Sequence, residues 1–213
     1  NPSLVGSEMC IRDRVLQTRS VETAMNNDVV LRVLSSFSDI GEGKKGTLVC
    51  AEDRIADKKI VTGVAASTND AKLTLIGIKD KPGVAAEILS VLADDGINVD
   101  MIVQNISDDR KTTDLTCTVP SDESIRAKEL MEGLSSNLSY KDLIVDTNIS
   151  KISIVGVGMR SNAGVASQMF RVLSENNINI DVISTSEIKI SVLINKDFTE
   201  KALNTLHDYF ELG

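Results

Sequence analysis

Apolar positions alternate along some stretches of this chain and recur at helical spacing along others, and the switches between the two periods mark its elements. The pattern is sharpest from Ala71 onward. Residues 73–78 read as a strand. Residues 82–95 read as a helix whose apolar face is Val84, Ile88, Val91 and Leu92, spaced i, i+4, i+7 and i+8. A strand over 99–106 follows. The next, over 113–119, alternates cleanly: Leu115, Cys117 and Val119 face one way, Asp114, Thr116 and Thr118 the other. Ser121 is placed to cap a second helix, with Asp122 and Glu123 in its first turn. A strand at 143–145 closes the unit. The order β-α-β-β-α-β is that of a ferredoxin-like α+β unit.

The unit then begins again. Residues 152–157 repeat the first strand. Gly164-Val165-Ala166 repeats Gly83-Val84-Ala85 at an offset of 81 residues, and at that offset Ile178-Asn179-Ile180-Asp181 matches Ile97-Asn98-Val99-Asp100. Val165, Met169, Val172 and Leu173 rebuild the helix stripe. Ile188, Ile190, Val192 and Ile194 alternate along the next strand. Residues 197–200 look like a capping box opening the last helix, whose buried face is Ala202, Leu203, Leu206 and Phe210. This second unit is one strand short. Residues 60–64 read as a strand without a partner in the first unit, so they are expected to cross back and complete the second sheet. The domain plan is therefore 67–147 for the first unit, and 59–66 plus 148–213 for the second.

Ahead of the repeats the pattern is weaker. Residues 15–28 form a short predicted helix with Val21, Ala24 and Met25 at helical spacing, and 29–34 and 47–50 are short predicted strands. The Gly/Lys-rich stretch 41–46 between them lacks the GxxxxGK[ST] spacing of a phosphate cradle and reads as a surface loop. Residues 1–14 show no periodicity, no signal-peptide pattern and no initial Met. They are expected to be a foreign leader.

Charge and composition narrow the function. A formal charge of −8, only 3% aromatics and no Trp argue against a nucleic-acid surface, which needs basic patches or stacking platforms. Cys10, Cys50 and Cys117 are far apart and odd in number. No CxxC or Cys/His cluster exists, so neither a disulfide framework nor a metal site is suggested, and a reducing, cytoplasmic setting is expected. No apolar run approaches membrane-spanning length.

The stretch with chemistry is Ile78-Lys79-Asp80-Lys81-Pro82-Gly83-Val84-Ala85-Ala86. It reads as a strand end, a tight loop and a helix start. Asp80 can cap the helix, Pro82 suits its first turn, and Gly83 lets a ligand or another backbone come close. The first N–H groups of such a helix lack intrahelical partners and can receive a carboxylate. A plain β-to-α turn has the same residues, but the matched copy at Gly164 and the matched Ile-Asn-x-Asp stretches weaken that reading. The repeated Asn and Asp can equally terminate each helix and satisfy loop backbone.

Asp80-Lys81-Pro82-Gly83, the βαββαβ order and the tandem repeat resemble paired ACT domains, which are small amino-acid sensors. Val15-Leu16-Gln17-Thr18-Arg19-Ser20-Val21-Glu22 and Leu31-Arg32-Val33-Leu34-Ser35-Ser36-Phe37 resemble the end of the catalytic domain of the aspartate kinase family. Val61-Thr62-Gly63-Val64, Met101-Ile102-Val103-Gln104-Asn105-Ile106-Ser107 and Thr112-Thr113-Asp114-Leu115-Thr116 resemble its regulatory region, as does Ile183-Ser184-Thr185-Ser186-Glu187-Ile188-Lys189-Ile190-Ser191-Val192-Leu193. The resemblance covers Val15 to Gly213. It implies that 15–50 is a remnant of the catalytic domain. The family's Lys-Phe-Gly-Gly phosphate and substrate motif is absent from this sequence, so the chain as it stands is not expected to be a kinase. The second loop, 158–164, lacks the Asp and Pro of the first.

What the resemblance implies is an allosteric region sensing lysine, threonine or both, within an enzyme that phosphorylates aspartate with ATP and Mg. No cofactor is expected in this chain, and a homodimer through the ACT units is. Effector contacts are expected from Asp80, Pro82, Gly83, Val84 and Ala85 at the first helix start. Asp80 would meet the effector's ammonium, with Asn98, Asp100 and Gln104 supplying further polar groups. In the second unit the matching positions are Asn162, Ala163, Gly164 and Val165, then Asn179, Ile180 and Asp181. The family's arrangement sets the second unit of a partner chain against the first, which implies that Asn162, Asn179 and Ile180 close the pocket from that chain. Two rival readings are an ACT pair serving another metabolic enzyme and a self-contained enzyme on a ferredoxin-like fold. Against the second, His207 sits on an amphipathic helix as a surface residue, Cys117 faces the core, and Asp94-Asp95 and Asp108-Asp109 read as solvated turns.

Overall fold

The computed structural model describes residues 16–34, 47–50, 60–107, 111–134, 138–156, 159, 162 and 164–212. The expected leader, the 41–46 loop, Asp108, Asp109 and Ala163 lie outside the described residues. At the N-terminal side, helix α1 (Thr18–Asn26) precedes strands β1 (Leu31–Val33) and β2 (Thr47–Val49), which pair antiparallel. Val21 and Val49 are buried there, whereas Met25 is exposed.

The first unit holds β4 (Asp70–Lys79), α2 (Val84–Asp94), β5 (Ile102–Ile106), β6 (Thr112–Pro120), α3 (Ser124–Gly133) and β7 (Asp142–Asp146). Its sheet order is β5-β6-β4-β7, all antiparallel neighbours. Ala71, Leu73, Leu75 and Ile78 from β4 and Leu115, Cys117 and Val119 from β6 meet Val84, Ile88 and Leu92 of α2 in one core. The register shifts between Leu75 and Ile78, where Gly77 takes φ 67°, so a bulge keeps Ile78 facing inward.

Three helices start otherwise than their sequence signals suggest. Helix α2 starts at Val84 with Gly83 as its N-cap in the left-handed region, so Asp80 does not cap it and Pro82 lies before its first turn. Helix α3 is entered through a tight 3₁₀ turn, Ser121–Glu123, and Ser121 offers it no side-chain cap. The last helix is likewise entered through a 3₁₀ turn, Lys196–Phe198, and has no side-chain cap of its own; Asn195 caps the turn, accepting from the Asp197 N–H at 2.8 Å. The strand expected over 99–106 starts only at Ile102.

The second unit holds β8 (Ile149–Val155), α4 (Val165–Glu175), β9 (Val182–Thr185), β10 (Lys189–Asn195) and α5 (Thr199–Tyr209). Its fourth strand is β3 (Gly63–Ser67), which precedes the whole first unit and pairs with β8 in the order β3-β8-β10-β9. The topology is thus two four-stranded antiparallel sheets, α+β, the second completed by the upstream strand as expected. The position taken by β7 in one sheet is taken by β3 in the other. Gly77 and Gly156 mark the equivalence, since a Cβ on Gly156 would lie 2.1 Å from the Ile60 carbonyl oxygen. Ala202 and Leu206 of α5 are fully buried, with Leu203 and Phe210 packed at the margin of the core.

The helix-free faces of the sheets meet. Met101 from the first unit packs with Ile149, Leu193 and Val182 of the second. Thr118, placed by alternation on the polar side of its strand, is fully buried, and its hydroxyl has no partner. Two ion-pair groups, centred on Lys72 and Lys151, also join the units.

Candidate functional site

The first helix start is built by the end of β4. The Asp80 N–H donates to Lys111 O at 2.9 Å, which fixes the loop to the β5–β6 hairpin. The chain then turns through exposed Pro82 and reaches Gly83 at φ 92° and ψ −6°. Only glycine adopts that conformation freely, and a Cβ there would meet nothing within 4 Å, so the space before the helix is open. Val84 N–H donates to Lys81 O at 3.2 Å and Glu87 N–H to Gly83 O at 2.9 Å. Between them, Ala85 and Ala86 have no acceptor one turn back, because the helix has only begun. Lys81 folds over this start to reach Glu87 at 3.2 Å. The Asp80 carboxylate is exposed and makes no hydrogen bond or ion pair with the described residues.

The second start repeats the geometry. Gly164 sits at φ 100° and ψ −7°, a Cβ would again meet nothing within 4 Å, and Gln168 N–H donates to Gly164 O at 2.9 Å. Val84 and Val165, the first helical residues, are both buried and anchor the two starts. Exposed Asn162 precedes the second start, and its N–H donates to Met159 O at 3.3 Å.

The remaining expected residues fall elsewhere in the unit. Ile106 and Ile78 both pair with Thr113, while Ile102 and Leu73 both pair with Cys117, so β5 runs parallel to β4 two strands away. Asn98 and Asp100 therefore lie at the opposite end of α2 from Gly83. That helix has 11 residues, a length of about 16 Å at the usual rise. Gln104 lies halfway along, opposite Leu115. Asn179 and Asp181 are likewise at the far end of α4, with Asn179 exposed and Ile180 packed on the second core. One unit does not bring Asp80 and Asn98 together. A pocket using both has to form across units or chains.

Asp100 and Asp181 have partners that the sequence did not suggest. Lys151 Nζ donates to the Asp100 carboxylate, and Lys72 Nζ donates to Asp181 at 2.9 Å. The signal for these lysines was available: Lys72 and Lys151 share an offset of 79 residues, the offset of the first strands rather than of the helices.

Other titratable groups do not add chemistry. Arg126 makes a two-bond contact with Asp95 at 2.8 Å, and its side-chain hydrogen bond holds the Asp95 carboxyl below the usual range. Burial pushes the Cys117 thiol up to about 11, so it is a core residue rather than a nucleophile. His207 is exposed on α5. Among the described residues no three His, Cys, Asp or Glu side chains could hold a metal ion, and no helix is long and apolar enough to cross a membrane. An open concavity of about 650 Å³ lies on α1, lined by Gln17, Arg19, Thr23 and Asn27, outside both repeats.

Comparison with known proteins agrees with this architecture. The ACT domain family matches residues 73–132 and 152–210, one stretch in each unit. An aspartate kinase of Stutzerimonas stutzeri is 46% identical over 199 residues, which cover 93% of this chain and 47% of that protein. The chain spans about half the length of the curated relatives it matches. A crystal structure of aspartokinase alpha and beta subunits is 44% identical with a TM-score of 0.67, covering 71% of this chain and 99% of that one. The ligand-free regulatory subunit of aspartate kinase from Thermus thermophilus is 39% identical with a TM-score of 0.66, covering 70% of this chain and 98% of that one. With two ACT units matched and a regulatory subunit overlaid almost end to end, this chain belongs to the aspartate kinase family and carries its tandem ACT regulatory region.

Proposed function

We propose that this region senses a free amino acid, lysine or threonine or both, and so sets the activity of an enzyme that phosphorylates the side-chain carboxylate of aspartate with ATP. The observation that carries the reading is the pair of glycine-led helix starts, each with a left-handed glycine as its N-cap, no side-chain cap and nothing within 4 Å of where the glycine's Cβ would stand. An α-carboxylate suits such a start, and an ammonium then needs an acid nearby. Asp80 is that acid at the first start. The second start has Asn162 instead, together with Gly164 and Val165, and is the weaker site. Pro82, Val84 and Ala85 shape the first pocket, and Gln104 lines the approach along β5. Asn98, Asn179 and Ile180 contribute from the neighbouring unit or chain.

In this reading the partner is a second copy of the chain. Ile102, Ile106 and Ile183 on edge strands β5 and β9 are 50%, 62% and 45% exposed, and uncovered edge strands favour pairing. The setting is the cytoplasm, where free Cys50 and Cys117 stay reduced. An effector acts by binding one arrangement of the paired units better than another. Calorimetric titration of the chain with a panel of free amino acids tests this. Saturable binding of lysine or threonine, and not of apolar amino acids, is the expected result. No binding by any of them overturns it.

A further inference from the structure

Two lysines and two aspartates join the repeats by the same contact made twice. Lys72 and Lys151 are equivalent positions on β4 and β8, and Asp100 and Asp181 are equivalent positions ahead of β5 and β9. The pairs cross between units. Lys72 of the first reaches Asp181 of the second at 2.9 Å, and Lys151 of the second reaches Asp100 of the first. Each lysine also has a further carboxylate, Asp146 at 3.6 Å from Lys72 and Asp70 at 3.5 Å from Lys151. The backbone geometry matches as well: Asp100 N–H donates to Thr118 O at 3.0 Å and Asp181 N–H to Leu193 O at 2.9 Å.

Such a crossed pair resists relative rotation of the units as well as sliding, which a single bridge does not. Its setting strengthens it. Lys151 is only 4% exposed, and Met101, Ile149, Leu193 and Val182 pack beside the pairs. Only the lysine ends are sheltered: the Asp100 and Asp181 side chains keep 56% and 33% of their surface in water, so the cost of parting the units falls mainly on Lys151, a buried charge that is costly to leave unpaired. Each clamp aspartate is also wired to a helix. Ile97 N–H donates to Leu92 O and Ile178 N–H to Leu173 O, both at 2.9 Å, so the segments carrying Asp100 and Asp181 follow α2 and α4. A displacement of α2 therefore pulls on Lys151 in β8, an inner strand of the other sheet.

We infer that the crossed pairs Lys72–Asp181 and Lys151–Asp100 are a clamp that makes the two units one cooperative body and carries a shift of either helix into the opposite sheet. The four are positioning residues. The signalling half of this inference rests on the effector reading above, and the cooperative-body half does not.

The test uses the full chain and the variant Asp100→Asn/Asp181→Asn, in which each lysine keeps one carboxylate. Hydrogen exchange across a urea series reads β6 amides for the first unit and β10 amides for the second. In the parent both units lose protection at one shared midpoint; in the double variant the midpoints separate. Lys72→Asp alone separates them too, and adding Asp181→Lys brings them back together. A shared midpoint in the double variant, or a charge swap that fails to rejoin the units, overturns the clamp. With saturating lysine or threonine, the β6 and β10 urea midpoints of the parent rise together, and those of the double variant rise by unequal amounts. Equal rises in the double variant remove the signalling role. If neither amino acid alters exchange in the parent, the effector reading fails, and the urea midpoints alone decide the clamp.

Discussion

Gly96 and Asn177 occupy the same place in the two repeats, and both hold left-handed backbone, at φ 80° and φ 56°. Each is the residue after a helix C-cap. Gly96 N–H donates to Ala93 O at 3.0 Å and Ile97 N–H to Leu92 O at 2.9 Å; Asn177 N–H donates to Ser174 O at 2.9 Å and Ile178 N–H to Leu173 O at 2.9 Å. Both helices thus end in the same two-bond motif, sealed by a buried Ile–Leu contact. Gly96→Ala should destabilise by about 1 kcal/mol through backbone strain alone, since its Cβ would meet nothing. Asn177→Gly should change stability by less than about 0.5 kcal/mol. Urea denaturation of both variants checks the ordering.

Gly156 is constrained by space. A Cβ there would sit 2.1 Å from Ile60 O and 2.8 Å from Val61 Cα, both backbone atoms. Gly156→Ala should displace β3 from the second sheet and cost about 3 kcal/mol or more, in the range of severe overpacking. The first sheet should persist. Exchange of the β3 and β8 amides against those of β4 and β6 distinguishes this local loss from general unfolding.

Thr118 is the first unit's counterpart of Leu193, and both are fully buried. Its hydroxyl lacks a partner. Thr118→Val keeps the shape and removes the orphan group, so it should stabilise by about 1 kcal/mol. A clear loss in the melting temperature would mean that the hydroxyl is satisfied in solution.

Cys117 should resist alkylation in the folded chain and react after unfolding. Its thiol is raised from 9.0 to about 11 by burial. A group whose folded pKa is raised stabilises the fold fully below the unfolded value, and that contribution is lost as pH rises between these two values. Cys117→Ser should lack this alkaline loss. Mass spectrometry after brief alkylation, with melting curves across the alkaline range, reads both effects.

Much of this was legible in the sequence because the repeats carry their own control. The stripe of Val84, Ile88 and Leu92 and its copy at Val165, Met169, Val172 and Leu173 placed two helices on two cores. The missing strand of the second unit was legible from counting. The caps were not. Asp80 and Ser121 have the composition of N-caps, but a left-handed glycine and a 3₁₀ turn satisfy those helix ends instead. Thr118 and Lys151 were hidden because alternation identifies a polar face without telling what covers it. The candidate site was legible as a list of residues, but not as a place. Asp80 and Asn98 lie a helix length apart, and Asp100 and Asp181 are held by lysines from across the interface.

The central claim is that the start of α2 receives the effector. Asp80 is exposed and caps nothing, so Asp80→Ala should keep the stability to unfolding within about 0.5 kcal/mol of the parent's. A charged hydrogen bond to an ammonium contributes about 1.5–3 kcal/mol, and about 1.4 kcal/mol is a decade of affinity. Calorimetric titration of lysine and threonine against the parent, Asp80→Ala and Asn162→Ala is the most direct measurement. More than a tenfold loss is expected for Asp80→Ala and a smaller one for Asn162→Ala. Parent-like binding by Asp80→Ala together with lost binding by Asn162→Ala would contradict a site at the start of α2.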